Sequence, residues 1–430
     1  MMATNIRKQL TPTKEDLVAS LVVCVVAIPL SLGISMASGG SASAGLITAV
    51  IGGFVVGILS GAPLVVSGPA AGLTTLVFQI IQQYGLEGLA LAAMMCGFIQ
   101  FLMGVFRMGK IFLFVPKPVL EGMLSAIGFV ILAGQSHVLI GSDAPKSAWR
   151  AIGSIGSSLN QAIGTSGVLN PVLLCGILAI AVQVAWPKLA KKYSWLPGAL
   201  PAVAIATLIS LPFDLPRVNF EPLLPVVEQQ LSSLLSLAWM SRILECAAPA
   251  LALAVVASAE SLLTARAIDT LASQNNVSRP PANLNRELIA QGVGNTLSAA
   301  LGGLPMTGVI VRSAANINAG AKSRYSTVLH GLWIAVFVGL FPFLLAKIPL
   351  TALAAVLVVT GFKLVNFMKF FETMKHDAID GLIWLTTFVA ILATDLLKGL
   401  AVGIGIALVL KSKQLLERLR KPAATDPVKE

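Results

Sequence analysis

The chain has 430 residues, 56% of them hydrophobic and only 11% charged, with a mean hydropathy of +0.86 and a formal net charge of +11. Soluble domains keep roughly a quarter of their residues charged, so this chain cannot clothe a water-facing surface, and lipid has to be its solvent. The positive surplus does not indicate nucleic acid, because Lys and Arg lie between apolar runs, the pattern that orients membrane proteins.

Crossing the hydrocarbon takes about 20 apolar residues in a helix. After polar residues up to Asp16, apolar runs lie near 16–36, 44–61, 68–83, 88–106, 119–140, 168–187 and 195–212. A more polar linker covers 213–242. A second set follows near 243–264, 287–302, 305–318, 325–346, 349–363, 380–397 and 399–412, and a basic tail covers 413–430. The expected fold is therefore an all-α polytopic membrane protein of 14 spans. No small-residue cleavage site follows a short apolar core, so the first run reads as an uncleaved span.

Charge tests that count. With residues 1–15 in the cytoplasm, alternate loops should be basic. The inside segments hold Arg7, Lys8, Lys14; Arg107, Lys110, Lys117; Lys188, Lys191, Lys192; Arg266, Arg279, Arg286; Lys322, Arg324; Lys363, Lys369, Lys375; and six basic residues after Val409, in all 23 of the 30. Lys146, Arg150, Arg217, Arg242, Lys347 and Lys398 fall outside or at span ends, and Arg312 lies within a span. Both termini are expected on the cytoplasmic side of an inner cell membrane. Seven spans per half force the second half (243–412) to enter upside down relative to the first (16–212), the inverted-repeat plan of many secondary transporters.

The third span of each half is short and interrupted, reading Ser67-Gly68-Pro69-Ala70-Ala71-Gly72 in one and Gly302-Gly303-Leu304-Pro305-Met306-Thr307-Gly308 in the other. Proline suits the first turn of a helix, so each is expected to start a half-helix inside the membrane. Such a start exposes unpaired N–H groups and a positive dipole end. Two facing each other would hold an anion without a formal positive charge, with Ser67 and Thr307 adding hydroxyls. The bland reading is a pair of kinked spans packed through glycine; matching positions in the two halves favour the anion site.

Charges within spans are costly, and their default reading is functional. Glu260 lies late in the eighth span with Thr264 one turn on, so both share a face, and the carboxyl could exchange a proton or ligate Na⁺. A structural hydrogen bond to a neighbouring span is the plain alternative. Arg312 could add positive potential, pair with Glu260, or snorkel to the cytoplasmic face. Glu121 and Asp395, near span ends, are weaker candidates. Pro29 in mid-helix is expected to unwind the first span against a cavity. Cys24, Cys96, Cys175 and Cys246 form no CxxC pair and read as small buried hydrophobes, and His137, His330 and His376 form no ligand motif. No metal or other cofactor is expected, and no nucleophile–base pair supports an enzyme.

Four stretches resemble the SulP (sulfate permease) family: AIPLSLGISMASG from Ala27, VSGPAAGL from Val66, AESLLTARAID from Ala259, and ELIAQGVGNTLSAALGGLPMTGVIVRSAANINAG from Glu287. The resemblance covers about 15–412. It implies a seven-plus-seven fold with a core domain (spans 1–4 and 8–11) and a gate domain, usually dimeric, carrying sulfate, bicarbonate or a similar anion. It also implies an anion site at Pro29, Ser31 and Leu32 of the first span, at Ser67, Pro69, Ala70 and Ala71, and at Met306, Thr307 and Gly308. The family's coupling carboxylate matches Glu260, with Thr264 beside it, and its arginine after the second half-helix matches Arg312. Three features depart from the family pattern. Members usually continue into a cytoplasmic STAS domain, whereas this sequence reaches Glu430 after one short basic helix. A sodium-coupled bicarbonate carrier of the family has Asp where Glu260 stands, which favours H⁺ over Na⁺. Many members have Gln where Leu30 follows Pro29. An anion channel without coupling and a nucleobase carrier of the same fold are the alternatives. Glu260 speaks against the first, and the lack of further acidic residues near the half-helices speaks against the second.

Overall fold

A computed structural model describes residues 12–420 apart from 115, 144, 146–147, 164–169, 190–196, 237, 278–279, 366 and 395. Asp395, Arg7, Lys8, Lys146, Lys191, Lys192, Arg279 and the tail after 420 therefore lie outside the described residues. In chain order the helices are α1 (Lys14–Ala37), α2 (Ala42–Ile51, continued by a π turn over Gly52–Val56), α3 (Thr74–Val105), α4 (Lys117–Ile140), α5 (Ala148–Ile163), α6 (Pro171–Leu189), α7 (Ala199–Ser210), α8 (Leu223–Leu235) and α9 (Ile243–Gln274). They continue as α10 (Leu284–Ala300), α11 (Ile310–Asn318), α12 (Tyr325–Leu340), α13 (Pro342–Leu345), α14 (Leu350–Leu364), α15 (Phe367–His376), α16 (Ala378–Ala393) and α17 (Leu396–Arg420). Among the described residues, seven helical stretches are long and apolar enough to cross a membrane, and four shorter apolar helices accompany them. The protein is mostly helical because a helix satisfies its own backbone where no water can.

Local chemistry marks where elements begin and break. Thr13 and Asp16 form a reciprocal capping box at the start of α1, and Asn283 caps α10 by accepting from the Arg286 N–H at 3.0 Å. Gly85, at φ 73°, breaks α3 into two helical pieces. That break falls between the runs 68–83 and 88–106, and only a residue without Cβ adopts this backbone freely. The polar linker is partly helical, since α8 lies within it, and Ser43 Oγ donates to the Glu221 carbonyl to tie it to α2.

Two expectations need correction. The chain is not all-α: Ser67–Pro69 forms a strand, β1, that pairs antiparallel with Met306–Gly308, β2, in the register Ser67 to Gly308 and Pro69 to Met306. The first span is not unwound at Pro29 either, because α1 stays helical across it. The missing N–H leaves a single carbonyl unserved, and close burial by neighbouring helices holds the helix together.

Large side chains such as Phe98, Leu174, Leu244 and Phe362 project outward, as lipid-facing residues do. Inside, α3 runs along α9 and α10, and α1 lies against α12 and α11. Helix α4 packs on α14 and α16, α6 on α7 and α14, and α16 on α17. The β1–β2 pair sits within the first of these groups, against α2 and α9.

Candidate functional site

A two-stranded sheet in an apolar interior must satisfy its outer edges, since each buried unpaired backbone group costs about 1–3 kcal/mol. Here side chains serve as the missing strands. The Asn295 amide copies a strand against β2, its Oδ1 accepting from the Met306 N–H at 2.6 Å and its Nδ2 donating to the Met306 carbonyl at 3.1 Å. Ser261 Oγ accepts from the Gly308 N–H at 3.1 Å, and Thr48 Oγ1 accepts from the Leu304 N–H at 2.7 Å. Along β1, Ser313 Oγ accepts from the Val66 N–H at 2.8 Å and Asn316 Nδ2 donates to the Leu64 carbonyl at 3.1 Å. Pro69 brings no donor to the edge, which suits an outer strand position.

The chain becomes helical only after the strands. Ala71–Leu73 makes a 3₁₀ turn leading into α3, and α11 starts at Ile310 after Val309, whose N–H donates to Val66. Pro69 and Pro305 thus precede the helices and do not occupy their first turns, a further correction. Both starts open onto one crevice, lined by Ala71 and Gly72 from the first and Val309, Ile310 and Val311 from the second. Its opposite wall comes from Leu120, Met123, Leu124 and Ile127 on α4 and Thr360 and Leu364 on α14.

Glu260 and Thr264 also line this crevice. The carboxylate lies against the first helix start, where it faces the Gly72 N–H and the Thr307 hydroxyl. A Cβ at Gly72 would stand 2.6 Å from Glu260 Oε2 and 2.7 Å from Oε1, so only glycine lets the carboxylate come this close. No cation pairs with Glu260 among the described residues, and its Oε2 and the Thr264 hydroxyl have no hydrogen-bond partner.

The sequence-expected residues fall in different places. Ala71, Glu260 and Thr264 meet in the crevice, and Thr307 touches it through Glu260. Ser67, Pro69, Met306 and Gly308 form the strand pair behind it, with Ala70 as the link into the helix. In the first span, Leu30 and Ile34 reach the crevice. Pro29, Ser31 and Leu32 are buried elsewhere in α1, and Ser31 faces α2, since a Cβ at Gly45 would run into its carbonyl. Arg312 neither pairs with Glu260 nor snorkels. It is fully buried, Nη2 donates to the Pro69 carbonyl at 3.4 Å, and Nη1 packs on Gly68. Its Nε and Nη1 have no hydrogen-bond partner, and its guanidinium lies against the β1 backbone at Gly68 and Pro69.

One set of residues escaped the reading of charges within spans. Glu287, Gln291 and Asn295, spaced by four on α10, form a buried polar stripe. Glu287 Oε2 accepts from Ser60 Oγ at 2.5 Å and from the Gly61 and Ala62 N–H groups at 3.1 Å each. Gln291 Nε2 donates to Glu287 Oε1 at 2.9 Å and to Ser67 Oγ at 2.7 Å, and Asn295 Nδ2 reaches Gln100 at 2.7 Å. This stripe stiffens the strand pair. The i, i+4, i+8 spacing of polar residues in an otherwise apolar helix was the available signal.

Two interrupted segments crossing inside a bundle of apolar helices define a multi-span membrane protein of the transporter class, because irregular backbone at such depth is tolerated only around a cavity or within protein. The chain belongs to the sulfate permease family, whose model matches residues 13–387. It is 30% identical to YvdB of Bacillus subtilis over 420 residues, covering 95% of this chain and 75% of that one. It is 28% identical to the bicarbonate transporter BicA of Synechocystis over 408 residues, 92% of this chain and 69% of the relative. Among solved structures, the transmembrane domain of a cyanobacterial BicA superposes with a TM-score of 0.73 at 23% identity, over 90% of this chain and 97% of that one. The murine anion transporter Slc26a9 in its inward-facing state superposes with a TM-score of 0.75 at 18% identity, over 93% of this chain and 68% of that one.

Proposed function

We propose that the protein is a secondary carrier of a small inorganic anion of the sulfate or bicarbonate class, driven by protons through Glu260. The carrying observation is that two helix starts, clamped by one strand pair, border the same crevice as an uncompensated carboxyl. The first-turn N–H groups of α3 and α11 would hold the anion, with Ala71 and Gly72 on one side and Val309 to Val311 on the other. Ionised Glu260 occupies the Gly72 end itself, so carboxylate and substrate compete for the same donors. A proton on Glu260 removes that competition and the like-charge repulsion together, which ties anion entry to proton entry. Sodium between Glu260 and Thr264 would do the same work; the longer carboxyl places its charge directly on the helix start, which favours the proton.

The proposed topology is 14 spans in two inverted halves, with residues 16–212 and 243–412 as the repeats and both termini in the cytoplasm of an inner-membrane dimer. Packing supports the inversion. Numbering the spans, the first lies against the eleventh and the eighth against the fourth, through α1 with α12 and α9 with α3. The fifth meets the thirteenth and the twelfth meets the sixth, through α4 with α16 and α14 with α6. Each pair maps onto the other when seven is added to one member and subtracted from the other, as a two-fold related repeat requires.

Purified protein in liposomes should take up labelled sulfate or bicarbonate when an inward proton gradient is imposed, with or without Na⁺. Glu260→Gln should reduce gradient-driven uptake to the level of empty vesicles while leaving anion-dependent thermal stabilisation in place. Uptake by this variant with unchanged pH dependence removes the coupling role, and uncoupled conductance in the wild type supports a channel instead.

A further inference from the structure

Helix α15 presents three different faces. Phe370 and Met374 pack inward, Phe370 with its ring centroid 4.8 Å from Trp384 and Met374 against Gly381. Phe367, Met368 and Phe371 form an exposed apolar face, with Met368 73% exposed, and Phe362 just before the helix extends it. Lys369, Glu372 and His376 form a third, polar and exposed face, and Lys375 stands on the apolar one, a turn beyond Phe371. One face in protein, one apolar and one charged is the signature of a helix lying in a membrane–water interface, where lysines reach headgroups from an apolar bed.

This helix is attached to the crevice on two sides. It follows directly from α14, whose Thr360 and Leu364 line the crevice. It is also ion-paired to α4, with Lys369 Nζ 2.8 Å from Glu121 Oε1, in the turn that carries the crevice residues Leu120, Met123 and Leu124. Lys117 Nζ stands 3.8 Å from the same oxygen. Lys369 and Lys117 thus both stand beside the carboxylate that anchors a wall of the crevice, and exposed Lys363 and Lys375 lie six residues to either side of Lys369.

We propose that α15, together with Lys363 at the end of α14, binds anionic phospholipid headgroups through Lys363, Lys369 and Lys375, and that a bound headgroup competes with Glu121 for Lys369 and frees the α4–α14 wall to move. Charge complementarity selects the lipid over a second copy of the chain, because two-fold self-packing of this face would bring like lysine clusters together. The effect on transport rests on the carrier reading above; the binding of lipid does not.

Delipidated protein titrated with phosphatidylglycerol or phosphatidylcholine and read by native mass spectrometry tests the binding half. Phosphatidylglycerol should bind more tightly, and each lysine changed to Gln should weaken it about fivefold. Equal affinity for the two lipids, or undiminished affinity in the triple variant, overturns the proposal. In liposomes, adding phosphatidylglycerol to phosphatidylcholine should speed anion uptake by the wild type about fivefold. Glu121→Gln should be fast already in phosphatidylcholine and gain nothing more. A Glu121→Gln protein that still responds to phosphatidylglycerol refutes the competition. Complete disulfide cross-linking of Met368→Cys between two chains in phosphatidylglycerol liposomes shows a second copy on this face and sinks the lipid site. If no vesicle takes up either anion, the carrier reading fails, while the titration still decides the lipid site.

Discussion

At the first broken segment a carboxylate, Glu260, lies against the helix start at Gly72, whereas the strand leading into the second is edged by uncharged groups, Asn295 on Met306 and Ser261 on Gly308. The two segments meet strand to strand, yet one end is finished with a group that can gain or lose a proton and the other with groups that cannot. On the proposed carrier mechanism the two helix starts would have different duties, the second a fixed electrostatic platform and the first a platform whose occupant changes with pH.

The sharpest way to break this contrast is Gly72→Ala. The new Cβ would stand within 2.7 Å of the Glu260 carboxyl oxygens, and these are the far end of a flexible side chain, so the chain folds and the carboxylate is displaced. Uptake driven by a proton gradient should fall at least about a hundredfold, the effect of losing roughly 3 kcal/mol of placed interaction. The melting temperature should stay near that of the wild type. Retained coupling would show that the carboxylate does not work from the helix end.

A smaller effect is expected at the fixed platform. Asn295→Leu leaves the Met306 N–H and carbonyl and the Gln100 oxygen without partners in a dry interior. The loss should be about 2–4 kcal/mol of stability, seen as a fall in thermal midpoint in detergent, together with slower uptake whose pH dependence keeps its shape. A changed pH dependence in this variant would mean that both ends take part in coupling.

The sequence states some of this architecture openly and hides the rest. Apolar length is a local property, so the run 119–140 coincides with α4 and the break between 83 and 88 falls at Gly85, while 243–264 catches the start of α9 but not its continuation to Gln274. Pairing is not local: nothing near Ser67 announces that Met306, far along the chain, will lie beside it as a strand, and proline and glycine there read equally well as a helix start. Arg312 was visible as an intramembrane charge, but whether it faces Glu260, water or a backbone carbonyl depends on a fold of its neighbours that no window contains. Proline at 29 signals a break only where packing does not hold the helix, and in α1 it does. Glu287 was hidden because it opens an apolar run and so passes for a loop residue, although Gln291 and Asn295 on the same stripe gave it away.

The smallest change tests which ion accompanies the anion. Thr264 is fully buried, one turn beyond Glu260, and its hydroxyl has no partner. Valine has nearly the same shape, and removing an unpartnered hydroxyl costs no hydrogen bond, so Thr264→Val should fold with unchanged or slightly raised stability. If the hydroxyl serves only the anion, one bond of about 1 kcal/mol is lost on binding, and KM should rise about fivefold with kcat unaltered. If Na⁺ is held between Glu260 and Thr264, the same substitution removes a ligand that valine cannot replace. Uptake by the wild type would then depend on Na⁺ and that dependence would vanish in the variant. Measuring KM for sulfate and bicarbonate with and without Na⁺, in wild type and Thr264→Val, separates the two, and the geometry of a carboxylate resting on a helix start leads us to expect the first.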